Sequence, residues 1–257
     1  MIDVLLTATD LANAADILPQ SQVVILDILR ATTTITTALH NGAKEIRLFD
    51  SLDAVRNAKT SRLKSQDSGP IVTAGETLCL KPDDFDLGNS PREFTTEKIG
   101  GAIVLLSTTN GTRAAVSARS AKTMYAASLL NATATALALA QNIDSEGGHT
   151  LLICSGTKGK LALEDTLGAG AILFSLLAHT YRADLPFTDN AWLAYHAFSA
   201  VQQRLPAALR LGQGTINIID AGLEDDIDHC ARLNTMPLVA TINPSTLTVT
   251  RANEPPR

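Results

Sequence analysis

Short apolar runs alternate along the chain with stretches whose apolar residues recur at helical spacing. The runs IDVLLT (2–7), VVILDIL (23–29), KEIRLFD (44–50), IVTAGE (71–76), IVLLST (103–108), TMYAAS (123–128) and TLLICSG (150–156) predict strands. Between them the pattern predicts helices: DLANAADIL capped by Asp10, TTTITTALHNGA stopping near Asn41-Gly42, SLDAVRNAKTSRL capped by Ser51, GTRAAVSAR, NATATALALAQNI and EDTLGAGAILFSLLAH. One more helix is expected over DNAWLAYHAFSAVQQRLPAAL and another over DDIDHCARL, with strands PLVATI and LTVT in the tail. Within the first of these, Trp192, Tyr195 and Phe198 sit at helical spacing and read as core.

Continuous apolar strands separated by helices indicate an α/β protein with a largely parallel sheet covered on both faces. No Pro/Ser-rich linker divides the chain, so residues 1–257 are expected to form one domain, loosest at KSQDSGP and CLKPDDFDLGNSP. At 45% hydrophobic the 257 residues can bury a sizeable core. Lys and Arg number 21 against 26 Asp and Glu, a net charge of −5, which argues against nucleic acid but leaves room for a small anion. Cys79, Cys154 and Cys230 form no CxxC pair and read as free thiols of a reducing compartment. The N-terminus lacks the basic start of a signal peptide, and AGAILFSLLA is too short to span a bilayer. The expectation is a soluble cytoplasmic protein without a membrane partner. A symmetric homo-oligomer is only the base-rate expectation.

Ligands of open α/β sheets sit at the carboxyl ends of the strands, and three such ends look alike. ILDILRATTT offers Arg30, Thr32 and Thr33; VLLSTTNGTR offers Thr108, Thr109, Asn110, Gly111, Thr112 and Arg113; LICSGTKGKLALED offers Ser155, Gly156, Thr157, Lys158 and Gly159. Hydroxyls and backbone N–H groups ahead of a helix favour an oxyanion, and Arg grips phosphate with a planar fork. Helix capping explains any one of these segments equally well. None is a P-loop, which argues against ATP. Asp27, Glu76, Glu164 and Asp165 also fall at strand ends or adjoining loops. Carboxylates beside an oxyanion call for a divalent cation, and Mg²⁺ takes one or two carboxylates plus waters and phosphate oxygens. Ser90-Pro91-Arg92-Glu93 fits a capping box; its other reading adds Asn89, Ser90 and Arg92 as anion ligands. The five histidines share no ligand spacing.

Taken together, ILDILRATTTITTALHNGA, AGE, FDLGNSPREF, STTNGTRA and LICSGTKGKLALED resemble the 2-phosphosulfolactate phosphatase family from Val23 to about Ala171. The resemblance implies an α/β/α sandwich with a mixed sheet and Mg²⁺-dependent hydrolysis of (2R)-2-phospho-3-sulfolactate to 3-sulfolactate and phosphate, a step of coenzyme M biosynthesis. It also lifts Asn89, Ser90 and Arg92 above the capping reading. One departure stands out: Asp84 precedes Phe85 where the family usually carries Gly, so another small 2-phospho acid is an alternative substrate. Two roles stand for Asp27. It attacks phosphorus, or with Glu76 or Asp165 it holds Mg²⁺, which positions water. Arg30 and Arg113 would neutralise the phosphoryl and sulfonate charge. A phosphotransferase with an organic acceptor and a non-catalytic anion-binding protein are the readings from other classes.

Overall fold

The computed structural model describes residues 1–62, 69–146, 148–180 and 184–252; most of KSQDSGP, and Leu63 of the predicted helix SLDAVRNAKTSRL, lie outside them. Nine strands join in one sheet: β1 (Ile2–Leu5), β2 (Ser21–Leu26), β3 (Glu45–Phe49), β4 (Ile71–Gly75), β5 (Ile103–Ser107), β6 (Thr123–Ala127), β7 (His149–Cys154), β8 (Ala240–Asn243) and β9 (Thr248–Arg251). The helices are α1 (Ala31–His40), α2 (Leu52–Arg62), α3 (Thr96–Ile99), α4 (Gly111–Ser117), α5 (Ala132–Glu146), α6 (Leu163–Thr180), α7 (Asp189–Val201), α8 (Leu205–Leu209), α9 (Gln213–Asp220) and α10 (Asp225–Cys230).

The strand order is β1-β7-β2-β6-β8-β9-β3-β5-β4. Pairing is parallel within β1-β7-β2-β6 and within β3-β5-β4. The antiparallel β8–β9 hairpin sits between the two groups and pairs antiparallel with both β6 and β3. Three reversals make the groups run in opposite senses, giving a mixed, mostly parallel sheet. Alternation within the strands sends side chains to both faces. Val23, Ile25, Val104 and Leu106 pack with α1 and α4 in one core that spans both groups. Val24 and Leu26 face the layer that holds α5 and α6, while Ile103 and Leu105 meet Val55 of α2.

The connectivity is duplicated. β2–α1–β3–α2–β4 is followed, after α3, by β5–α4–β6–α5–β7 in the same order of elements. Each unit lends its first strand to the other's group: β2 lies between β6 and β7, and β5 between β3 and β4. Five pairings separate β2 from β5. At about 20–25° of twist per pairing, some 100–125° accumulates. Added to the reversed sense, this turns the carboxyl ends of the two groups toward each other.

Local expectations hold where the chemistry is local. Gly42 takes φ +95° just past α1, and Ala43 N–H closes back on Ala38 O at 2.9 Å. Ser51 Oγ accepts Ala54 N–H at 3.2 Å at the start of α2. Four expectations change. Asp10 lies inside a 3₁₀ helix (Ala8–Ala14) and accepts the Thr7 N–H, so Thr7 is the cap. The helix predicted over 189–209 breaks at Gln202–Arg204 and restarts as α8 with Pro206 in its first turn, since proline cannot supply an interior N–H. α9 is a helix that the pattern does not predict; the glycines of its start, Gly212 and Gly214, obscure the period. Trp192 is not core: it is 37% exposed, stacked on the outer surface with Phe187 and His196, while Phe198 is buried. No helix among the described residues is long and apolar enough to cross a membrane.

Candidate active site

Two strand–turn–helix junctions meet at the centre of the molecule. In the first, Asp27 follows β2, and the Thr32 hydroxyl accepts the Asp27 N–H and donates to the Asp27 carbonyl, both at 3.0 Å. In the second, Thr108 follows β5; the Thr112 hydroxyl accepts the Thr108 N–H at 3.1 Å and donates to its carbonyl at 2.8 Å. The helix starts touch. A Cβ on Gly111 would lie 2.8 Å from both Asp27 Oδ2 and Ala31 Cβ, so only glycine permits this approach.

A pocket of about 730 Å³ opens over the junctions. Of the sequence-predicted residues, Asp27, Arg30, Glu76, Asn89, Thr108, Thr109, Asn110, Arg113 and Ser155 line it. Two matching two-residue turns flank it. Thr77 and Leu80 exchange backbone hydrogen bonds, as do Thr157 and Lys160. The central pairs, Leu78-Cys79 and Lys158-Gly159, have positive φ as type I′ turns require.

The predicted residues divide by what their polar atoms already hold. Thr32 and Thr33 do not line the pocket; the Thr33 hydroxyl donates to Ile28 O at 2.8 Å. The threonine burst thus ties α1 to the main chain instead of offering free hydroxyls. Thr109 donates through both N–H and Oγ1 to Glu76 Oε1, at 2.8 and 2.7 Å. Glu76 Oε2 accepts the Cys79 N–H at 2.9 Å, so Glu76 staples the β4 turn to the β5 turn. Arg30, 2% exposed, is engaged on both terminal nitrogens, by Asp226 at 2.7 Å and by Cys79 O at 2.9 Å. Arg92 forms a surface pair with Asp225 at 2.7 Å. The Ser90 hydroxyl donates to Asp226 at 2.6 Å and makes no capping bond, so the capping box does not form. Gly156 donates its N–H to Asp165 at 3.0 Å.

Left over are groups with nothing to bond. Asn89 Oδ1 and Ser155 Oγ are buried at the pocket without a hydrogen-bond partner among the described residues. Buried polar atoms are normally paired, so two orphans from different loops in one pocket mark a place for a polar ligand. Arg113 and Lys158 supply cations to the same pocket.

The acids also divide. Asp165 bonds the Ile28 N–H at 2.8 Å and the Gly156 N–H at 3.0 Å, tying the β2 and β7 ends together. Its carboxyl is held well above the usual carboxylate range by burial, then by the charges of Asp27 and Glu164. Glu164 seats against Gly212 and Gly214 at the start of α9, its Oε2 buried without a hydrogen-bond partner among the described residues, and burial raises it also. Neither lines the pocket. Asp27 does. Burial, followed by the Glu76 charge and opposed by the Ala31 and Gly111 N–H groups, lifts it to about 6. Among the described residues no three or more His, Cys, Asp and Glu side chains gather as a metal cluster; the predicted four separate into the pocket acids Asp27 and Glu76 and the two behind them.

Lys158, a cation of the third strand-end motif, lines the pocket; two other contributors escape sequence reasoning. Asn217 of α9 lines the pocket and carries no signal. Asp226 is one of four acids in EDDID, and only its tertiary contacts distinguish it.

The family model described as 2-phosphosulpholactate phosphatase matches residues 7–244. A probable 2-phosphosulfolactate phosphatase of Carboxydothermus hydrogenoformans is 38% identical over 240 residues, 93% of this chain and 91% of that protein. Those of Caldanaerobacter subterraneus subsp. tengcongensis and Thermotoga maritima are 33% identical over 222 residues (86% and 88% of the two chains) and 37% identical over 207 residues (80% and 82%). With its two junctions, its orphaned polar groups and this extent of likeness, the chain belongs to the 2-phosphosulfolactate phosphatase family.

Proposed function

We propose that the protein is a Mg²⁺-dependent phosphatase that hydrolyses (2R)-2-phospho-3-sulfolactate to 3-sulfolactate and phosphate. The observation that carries this reading is the meeting, in one pocket, of a buried acid at a strand end, Asp27, with two orphaned polar groups, Asn89 and Ser155. The relatives are described as probable phosphatases for that substrate. A polyanion also demands more positive charge than the side chains leave free: Arg30 is already paired with Asp226, and Asp27 and Glu76 oppose Arg113 and Lys158.

Mg²⁺ fits this imbalance. Asp27 and Glu76 would hold it, because the ion takes one or two carboxylates and fills its other positions with water and phosphate oxygens. When bound it supplies Lewis-acid charge neutralisation. Arg113 grips the phosphoryl or sulfonate group, and Asn89 and Ser155 orient the substrate. Water attacks phosphorus, the bond from phosphorus to the ester oxygen breaks, and that oxygen takes a proton to become the hydroxyl of sulfolactate. Phosphate release from a panel of 2-phospho acids, with Mg²⁺ or with EDTA, tests the proposal. Release from phosphosulfolactate that vanishes with chelator is expected; full activity of demonstrably metal-free protein sinks the metal. Preference for another member of the panel reassigns the substrate. Borohydride trapping during turnover should leave Asp27 unmodified; its reduction to homoserine would reveal an aspartyl-phosphate and make Asp27 the nucleophile.

A further inference from the structure

The acidic run of α10 has no place in the mechanism above, yet it is wired into the pocket. Asp226 is 1% exposed. One carboxylate oxygen takes Arg30 Nη1 at 2.7 Å, and the other takes the Ser90 hydroxyl at 2.6 Å. Arg30 continues the chain through Nη2 to the carbonyl of Cys79, in the turn beyond β4. Ser90 adjoins Asn89, whose orphaned side chain faces the pocket, and the Asn89 carbonyl accepts Thr34 of α1 at 2.9 Å. A single carboxylate thereby joins three segments far apart in sequence: the β2 turn, the β4 turn and the Asn89-Ser90 loop. Both oxygens are used by donors whose geometry would otherwise be free, and a buried ion pair holds register better than it adds stability.

We propose that Asp226 is a positioning residue. It sets where Arg30 and Asn89 stand in the pocket and does not touch the substrate. This rests on the proposed phosphatase reading for what the pocket holds, and on the observed contacts for everything else. Asp228, two residues along, points to the surface pair with Arg210 and is the control.

Three variants test the proposal. Asp226→Asn puts an amide against Arg30 and removes the charge. Asp226→Glu keeps the charge but moves it by one methylene, so the pair survives in a shifted place and the fold is protected. Positioning predicts that Asp226→Glu, at a melting temperature near wild type, loses roughly tenfold or more in kcat, with KM changed less. Asp226→Asn should lose at least as much per folded molecule. Asp228→Asn should stay within about twofold, as befits an exposed pair. Wild-type kcat in a folded Asp226→Glu protein overturns the proposal, because a charge needed only for folding is restored by glutamate. Should the wild type release phosphate from no substrate, the phosphatase reading fails on its own. The positioning claim is then judged by the rise in melting temperature that inorganic phosphate gives. A rise lost in Asp226→Glu supports it; an equal rise overturns it.

Discussion

The two strand–turn–helix junctions are built alike and chemically unlike. At each, a threonine on the helix start, Thr32 or Thr112, clamps the N–H and the carbonyl of the residue that ends the strand. That residue is an acid in the first junction, Asp27, and a hydroxyl in the second, Thr108. The residue after the clamp is Thr33, bonded to the main chain, in the first, and Arg113, which lines the pocket, in the second. The scaffold is the same and the reactive groups differ: one junction carries negative charge to the pocket, the other positive. The pocket lies between the two units, each of which places its first strand among the other's strands.

The largest effect should come from the acid of the first junction. Asp27→Asn is expected to lower turnover by about 10³-fold, some 4 kcal/mol of barrier, read by single-turnover phosphate release. Near wild-type turnover would reduce Asp27 to a helix cap, a role asparagine fills equally well. The same change should stabilise metal-free protein at neutral pH. Asp27 is raised from 3.8 to about 6, so the folded state binds a proton that the unfolded state releases. Stability is therefore full below about pH 4 and falls as pH rises to about 6, by roughly 3 kcal/mol at 1.36 per unit. The Asp27→Asn protein loses this share of the slope, because an amide does not titrate, and keeps the shares of Asp165 and Glu164, which burial also raises. The melting temperatures of variant and wild type should coincide in acid and separate by about 6–12 °C at pH 7; a constant separation would contradict the burial assigned to Asp27.

Next comes the cation of the second junction. Arg113→Lys keeps charge but not the planar fork, and kcat/KM should fall roughly tenfold, about 1.4 kcal/mol. No change would make the contrast between the junctions one of charge alone. The smallest effect tests their likeness. Thr32→Val and Thr112→Val keep shape and lose the clamp, and each should cost about 1–3 kcal/mol by denaturant unfolding. If the junctions are equivalent as scaffolds, the two losses agree; turnover should suffer more in Thr32→Val, because its clamp holds Asp27.

Much of this was legible one residue at a time. The Asn41-Gly42 stop, the Ser51 cap and the buried alternation of the strands depend on neighbours within a few positions, and a sequence states its neighbours. So does the juxtaposition of a lone acid with a threonine run after β2, although the reason proved different. The hydroxyls of Thr32, Thr33, Thr36 and Thr37 found main-chain carbonyls four or five residues away, and a group satisfied locally is not offered to a ligand.

The sequence by itself determined an alternating α/β chain, the strand ends where polar residues collect, and the motifs that carry the family likeness. Only the tertiary structure decided which of those residues are free. Arg30 lines the pocket but is held by Asp226, 196 positions on; Glu164 sits against the start of α9, and Asp165 takes two backbone amides. Ser155 and Arg113 follow strands of oppositely directed groups and reach one pocket only in the folded sheet. Residue type sets what a side chain is able to bond. Which partner it gets is settled by distance and burial after the chain closes, and those belong to the fold as a whole.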